Sequence, residues 1–372
     1  MTKSPSFARL DGLQVDVVRP WARYGLPRAE RTLAEALSEV GYQTHLVGKW
    51  HLGAAEEALL PTQRGFDHHY GGYLGQIDHF RHESLGGLDW HRDRVALREG
   101  GHSTDLIAAE AVRVIESRDR ARPFFLLVAF YAPHAPLQAP REWAERRSDI
   151  REPKRRAFAA MVEMLDGGVG TIVTALEEEG VDRETVLVFA SDNGGGPRFG
   201  ADNSPLAGGK GQLLEGGVRA PAFIAWPGQL EGGGSLDEPT HIVDFHSTLL
   251  AIAGVHGRAD GKSDGVDLMP ALRGGEHALA SRELVIHAEP TGAALRRGPW
   301  KLRVEGAGKR TLHDLTNDPG ERRDLAAAQP ELAEELATAL ARATSDAAVP
   351  LGGARRPPEG FVAPPIWGPD GH

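Results

Sequence analysis

Residues 124–130, FFLLVAF, constrain this chain more than any other stretch. A continuous apolar run of aromatic and branched residues directly after Pro123 reads as a β-strand covered on both faces. That is the condition of a parallel sheet with helices on either side. Residues 44–47 and 185–190 read as strands of the same kind, and each runs into a tip of Gly, Pro or polar residues. Residues 32–40 form an amphipathic helix opened by a Thr32/Glu35 capping box and stopped at Gly41. Residues 157–178 form a second helix, with Met161, Leu165, Val169, Ile172 and Leu176 as core positions. The fold class expected is α/β, with a predominantly parallel central sheet and helices on both faces. Ligands of such sheets bind at the carboxyl edge.

Length and composition narrow the function. The 372 residues suit one large α/β domain and a smaller one, and a net charge of −10 with no basic stripe excludes a nucleic-acid or polyanion-coating role. The chain has no cysteine, so disulfides, thiolate metal sites and a cysteine nucleophile are excluded. No run is expected to span a membrane, and residues 1–13 lack the layout of a signal peptide. As written the protein is expected to be cytoplasmic, or periplasmic or secreted if a lost N-terminus carried a signal. Oligomeric state is not encoded in any motif.

The strand tips hold the candidate chemistry. Residues 41–53, GYQTHLVGKWHLG, place Lys49 and His51 one residue apart at the end of the strand 44–47. Taken alone, they describe a surface lysine and a satisfied histidine as readily as a site. His134 sits between Pro133 and Pro136 in YAPHAPLQAP, stiffly held for proton transfer or for capping a turn. Asp192 and Asn193 in SDNGG suit a hard, oxygen-loving cation, and equally an ordinary Asp/Asn turn. Lys210 lies in a glycine-lined loop where an ammonium can meet an oxyanion. Arg219 is expected to brace the fold through buried hydrogen bonds. His68, His69, His79 and His82 are spaced for no particular metal geometry.

The string 41–53 resembles the second signature of the sulfatases, G-Y-x-[ST]-x-x-[IVAS]-G-K-W-H-x-G, at every specified position. PHAP, SDNGG, GGKGQLLEGGVRAP, DGVDLMPAL and LHDLTNDPGERRDLA resemble the family in the same order. Within it, residues 12–27 and 41–53 look most like the arylsulfatase B (N-acetylgalactosamine 4-sulfatase) branch. The resemblance implies an alkaline phosphatase-like fold with a small C-terminal antiparallel sheet and helix, and hydrolysis of a small-molecule or carbohydrate sulfate ester. It implies that Lys49 and Lys210 hold sulfate, that His134 assists the leaving group and that His51 hydrogen-bonds the nucleophile and acts as base. Asp192 and Asn193 would supply two calcium ligands, and Asp78 and His79 would contact substrate.

One part of the family pattern has no counterpart. Sulfatases open on a strand with paired aspartates and a C-x-P-S-R or serine-type loop whose first residue becomes formylglycine. Ser4 and Ser6 do not fit that spacing, and residues 1–10 read as a remnant of the helix that follows it. The expectation is a truncated catalytic domain at 1–270, an α+β subdomain at 271–348 and a Pro/Gly-rich tail at 349–372. The calcium site would be incomplete, formylglycine absent and activity doubtful. Alternatives are an inactive sulfate-binding remnant or pseudoenzyme, and a phosphoryl hydrolase of the same superfamily.

Overall fold

The computed structural model describes residues 14–15, 18–255, 265–275, 278–288, 292–345, 350–351 and 356–371. Ser4, Ser6, the remnant reading of 1–10 and residues 256–264 and 276–277 of the Gly/Asp-rich connection lie outside the described residues.

Helix α1 (Leu33–Ser38) carries the expected Thr32/Glu35 capping box, and Gly41 follows it at φ +93°. The chain then enters β1 (Gln43–Gly48), β2 (His68–Gly71) and the short β3 (His91–Arg92) and β4 (Val95–Ala96). Helix α2 (Ser103–Ser117) leads to β5 (Phe124–Ala129). These strands form a mixed five-stranded sheet in the order β4-β3-β2-β1-β5. β1 is parallel to both β2 and β5, while β3 and β4 add antiparallel. The cap of α2 is the ring of His102, which accepts from the Thr104 amide, and not Ser103 as its sequence suggests.

β5 departs from its reading in one respect. All six of its residues are half-buried, although Leu126 and Val128 pack toward α2 and Phe125 and Leu127 toward the α1 face. Among the described residues β5 pairs only with β1, so both faces are covered and one edge stays open.

Helix α3 (Pro153–Glu178) starts earlier than periodicity suggests, because Glu152 accepts from the Lys154 amide. By length and composition alone it could cross a bilayer. The same helix buries Met161, Met164, Ile172 and Leu176, with Ile172 and Leu176 joining Ala111 and Ile115 of α2 in one core cluster. That is the pattern of a core helix.

Strand β6 (Leu187–Ala190) pairs antiparallel with β7 (Ala222–Ala225), and the one-turn helix α4 (Glu215–Val218) lies between them in sequence. Helix α5 (Ile242–Ile252) opens with a capping box made by His241 and Asp244. The C-terminal part is a meander of β8 (Glu283–Ala288), β9 (Gly292–Arg297), β10 (Trp300–Glu305) and β11 (Lys309–Asp314). Gly298, at φ +54°, turns β9 into β10 as a hairpin. Leu295, Leu302 and Leu312 are fully buried against Leu336 and Leu340 of α6 (Pro330–Thr344). Each such leucine contributes about 1.5–3 kcal/mol. The tail is anchored where it is described. Trp367 is 1% exposed and donates to the Ser84 carbonyl at 2.8 Å.

Candidate functional site

The tip of β1 is shaped by glycine. Gly48 has φ +112°, and a Cβ there would lie 2.1 Å from the Ala129 carbonyl oxygen, so the ends of β1 and β5 close without a side chain between them. The Lys49 amide donates to the same carbonyl at 2.8 Å. Trp50 is 5% exposed and its indole donates to the carbonyls of Gly53 and Leu59 at 3.1 and 2.9 Å. With Trp50 anchored in the core, Lys49 and His51 take the other side of the segment.

Lys49 is half-buried, and its ammonium has no hydrogen bond or ion pair among the described residues. Burial lowers its pKa; the Asp192 carboxylate opposes that shift and Lys210 adds to it. His51 stands at φ +59° with its amide donating to the Tyr73 carbonyl at 2.9 Å. Its ring fills the space left by Gly75, where a Cβ would lie 2.4 Å from the ring. Nε2 is 3.0 Å from the Val18 carbonyl oxygen. A carbonyl only accepts, so Nε2 carries the proton and Nδ1 keeps a free lone pair. Burial first, and then the Lys49 charge, push the ring down to about 3, so it is neutral at pH 7.

His134 is fixed by the same logic. Nδ1 lies 2.7 Å from the Ala135 carbonyl oxygen and is therefore the donor, which leaves Nε2 open. Burial lowers its pKa, the Ala135 bond opposes, and Lys210 and Lys49 lower it further. Lys210 is exposed at the tip of its loop, with Gly208 at φ +74° and Gly211 at φ +85°. Asp192 is exposed and its carboxylate has no hydrogen bond or ion pair among the described residues, while the Asn193 amide nitrogen donates to the Gly194 carbonyl at 3.0 Å. The structure thus brings Lys49, His51, His134, Lys210 and Asp192 within reach of one another's charges.

Asp78 and His79, expected to contact substrate, are tied into the protein by hydrogen bonds. His79 is 1% exposed, with Nδ1 2.7 Å from the Ser103 hydroxyl and Nε2 3.1 Å from the His134 carbonyl oxygen. Both ring nitrogens are occupied by these partners. Asp78 accepts from Gln138 Nε2 at 2.8 Å and from the Phe80 and Arg81 amides. The pair clamps the loop that carries His134.

Arg219, expected to brace the fold, is exposed. The brace is Glu215, four residues earlier and 1% exposed, paired with Lys301 of β10 at 2.8 Å. Nothing in the local sequence around Lys301 signals that pairing, because its partner is 86 residues away. Among the described residues no three His, Asp or Glu form a metal-binding group, so His68, His69, His79 and His82 do not make one. Asp192 and Asn193 are hard oxygen donors, but calcium takes about six to eight oxygens. The described residues fit calcium as part of a site and do not complete one.

Fold and site together describe an α/β protein that gathers uncompensated cations and imidazoles at the carboxyl edge of its sheet, as enzymes of tetrahedral oxyanions do. Residues 7–255 match the sulfatase family model, and the chain belongs to the sulfatase family. Mouse arylsulfatase J is 35% identical over 298 residues, 78% of this chain and 50% of that protein. Human arylsulfatase A is 30% identical over 399 residues, 92% of this chain and 76% of that protein. The chain spans about half the length of arylsulfatase J and of the dog N-acetylgalactosamine-6-sulfatase, which is 32% identical. The solved structure of Ps i-CgsB in complex with k-i-k-neocarrahexaose is similar at a TM-score of 0.86 and 28% identity, over 92% of this chain and 80% of that one.

Proposed function

We infer that this site binds the sulfate group of a sulfate ester and is the anion-holding and leaving-group half of a sulfuric ester hydrolase. The observation that carries the reading is Lys49: a half-buried ammonium with no hydrogen bond or ion pair among the described residues, beside Lys210 and the open Nε2 of His134. Two cations converging from different loops neutralise the oxygens of a tetrahedral anion. His134 is neutral at rest because burial and the two lysines lower its pKa. An arriving sulfate monoanion offsets those lysines and raises the ring's affinity for the proton a leaving alcohol needs. His51, neutral and held at Nε2, presents Nδ1 as an acceptor toward the nucleophile. Sulfatases use calcium and formylglycine. Calcium, when bound, would add charge neutralisation at the sulfate oxygens, with Asp192 and Asn193 among its ligands.

The ester is a carbohydrate or other small-molecule sulfate; support comes from the neocarrahexaose of the Ps i-CgsB structure and the N-acetylgalactosamine-6-sulfatase relatives. The 372 residues hold no cysteine and no serine in the formylglycine pattern, so binding without turnover is expected of this chain alone. The test is sulfate-dependent thermal stabilisation alongside an aryl sulfate assay. Sulfate at a hundred times its Kd stabilises by about 2.7 kcal/mol, and Lys210→Ala removes most of that. Aryl alcohol release that disappears in Lys210→Ala would refute the expected inactivity. Phosphodiester hydrolysis with zinc or manganese, without any response to sulfate, would move the site to phosphoryl transfer.

A further inference from the structure

Beneath the site lies a charged group that sulfate binding does not use. Glu215 opens α4, and its side chain faces Lys301 of β10, which is fully buried. Lys301 Nζ lies 2.8 Å from Glu215 Oε1 and 3.3 Å from Glu321 Oε1. Glu321 also accepts the Glu215 amide at 2.5 Å. The first peptide and the first side chain of α4 are therefore both held by the C-terminal part of the chain.

Helix α4 is also the floor under the site loops. The Gly216 amide donates to Ala207 at 2.8 Å, the Gly194 amide to Gly217 at 2.9 Å and the Lys210 amide to Gly195 at 3.0 Å. There is no clearance between these segments. A Cβ on Gly194 would lie 1.9 Å from the Gly216 oxygen, and a Cβ on Gly217 would lie 2.3 Å from the Gln212 oxygen. The loop of Lys210 and the turn of Asp192 thus rest on one backbone turn, and whatever shifts that turn shifts both.

We propose that Lys301, Glu215 and Glu321 are positioning residues that set the separation of Lys210 from Asp192 through α4. The coupling follows from contacts alone; what it positions rests on the sulfate reading. The two carboxylates are hidden from water and share Lys301, while Arg296 stands 3.7 Å from Glu215 and Arg303 3.4 Å from Glu321, so the carboxylate charge is met by cations in this arrangement, which holds α4 in place.

Amide hydrogen exchange and sulfate titration test this together. Glu321→Gln, which keeps volume and leaves Lys301 paired with Glu215, is the variant that preserves the fold. The charge-balanced pair Glu215→Gln with Lys301→Met is the stronger one. Both should speed exchange at Gly194, Lys210, Gly216 and Gly217, by about tenfold in the pair, with α2 amides unchanged. Sulfate affinity should fall by about fivefold or more in the pair, while Lys301→Arg, which keeps the charge, stays within about threefold of wild type. Unchanged exchange at those four amides overturns the proposal, whether or not sulfate binds. Equal acceleration in α2 also overturns it, since the group would then serve global stability only. Failure of the unaltered chain to bind sulfate strikes the sulfate reading and leaves the exchange result to decide the coupling.

Discussion

Two lysines divide this molecule. Lys301 is fully buried and lies between the carboxylates of Glu215 and Glu321. Lys49 is half-buried and has no hydrogen bond or ion pair among the described residues. Burial disfavours an ammonium in either place. In the C-terminal sheet the chain supplies the compensation itself, and the charge becomes part of the fold. At the tip of β1 the Asp192 carboxylate opposes the desolvation without an ion pair to Lys49 among the described residues, and compensation is left to something that arrives. A charge satisfied from within builds structure; one satisfied from outside builds a site.

The largest test of that contrast removes the satisfied lysine. Lys301→Met takes the shared ammonium from two buried carboxylates and leaves them the longer contacts to Arg296 and Arg303, at 3.7 and 3.4 Å; breaking a buried pair costs about 3–5 kcal/mol. Urea unfolding should show a loss of that size, most of it recovered when Glu215→Gln is added. A loss below about 1 kcal/mol would put Lys301 in the same class as Lys49.

Acid sharpens the comparison through the histidines. His69, His79 and His91 are each at most 2% exposed and are held inside the fold. Burial, the first cause in each case, lowers them from 6.5 to about 3, 4 and 4 respectively. Each folded pKa lies below its unfolded value, so the unfolded chain binds more protons between the two. The stabilisation is complete above pH 6.5 and is lost as pH falls toward 4. Each ring contributes a slope of about 1.4 kcal/mol per pH unit in that window. Glu110 adds a second, lower window. Burial raises its pKa, but Arg113, His68 and Arg92 hold it well below the carboxylate range, so its stabilisation is lost as pH falls below about 4.5. Melting temperature should therefore fall steeply between pH 7 and 5; a flat profile there would mean these rings are not buried neutral.

Much of this was legible in the sequence because it is local. The capping box of Thr32 and Glu35, the stop at Gly41 and the strand into Lys49 are written in residues a few positions apart. The strand ends that bring His134 and Asp192 toward Lys49, and the glycine-lined loop of Lys210, were also readable. What stayed hidden depends on distant partners. His79 looks like a cleft histidine until Ser103 and the His134 carbonyl occupy its two nitrogens. Glu215 and Lys301 are 86 residues apart, and no spacing rule joins them. The open edge of β5 is invisible in FFLLVA, since an apolar run records which faces are covered and not which edge is paired.

The smallest predicted change is the one that separates the two lysines most sharply. Lys49→Met removes an ammonium that burial penalises and that has no hydrogen bond or ion pair among the described residues, and it keeps the apolar stem in place. Unfolding free energy measured without sulfate should therefore stay within about 1 kcal/mol of wild type, or rise. The same variant measured in sulfate should lose its ligand-dependent stabilisation, because the charge that met the anion is gone. Lys301→Met should do the reverse, with a large loss in buffer. If Lys49→Met instead destabilised the chain strongly in plain buffer, Lys49 would have a structural partner after all, and the site would be read as an extension of the fold's internal charge network.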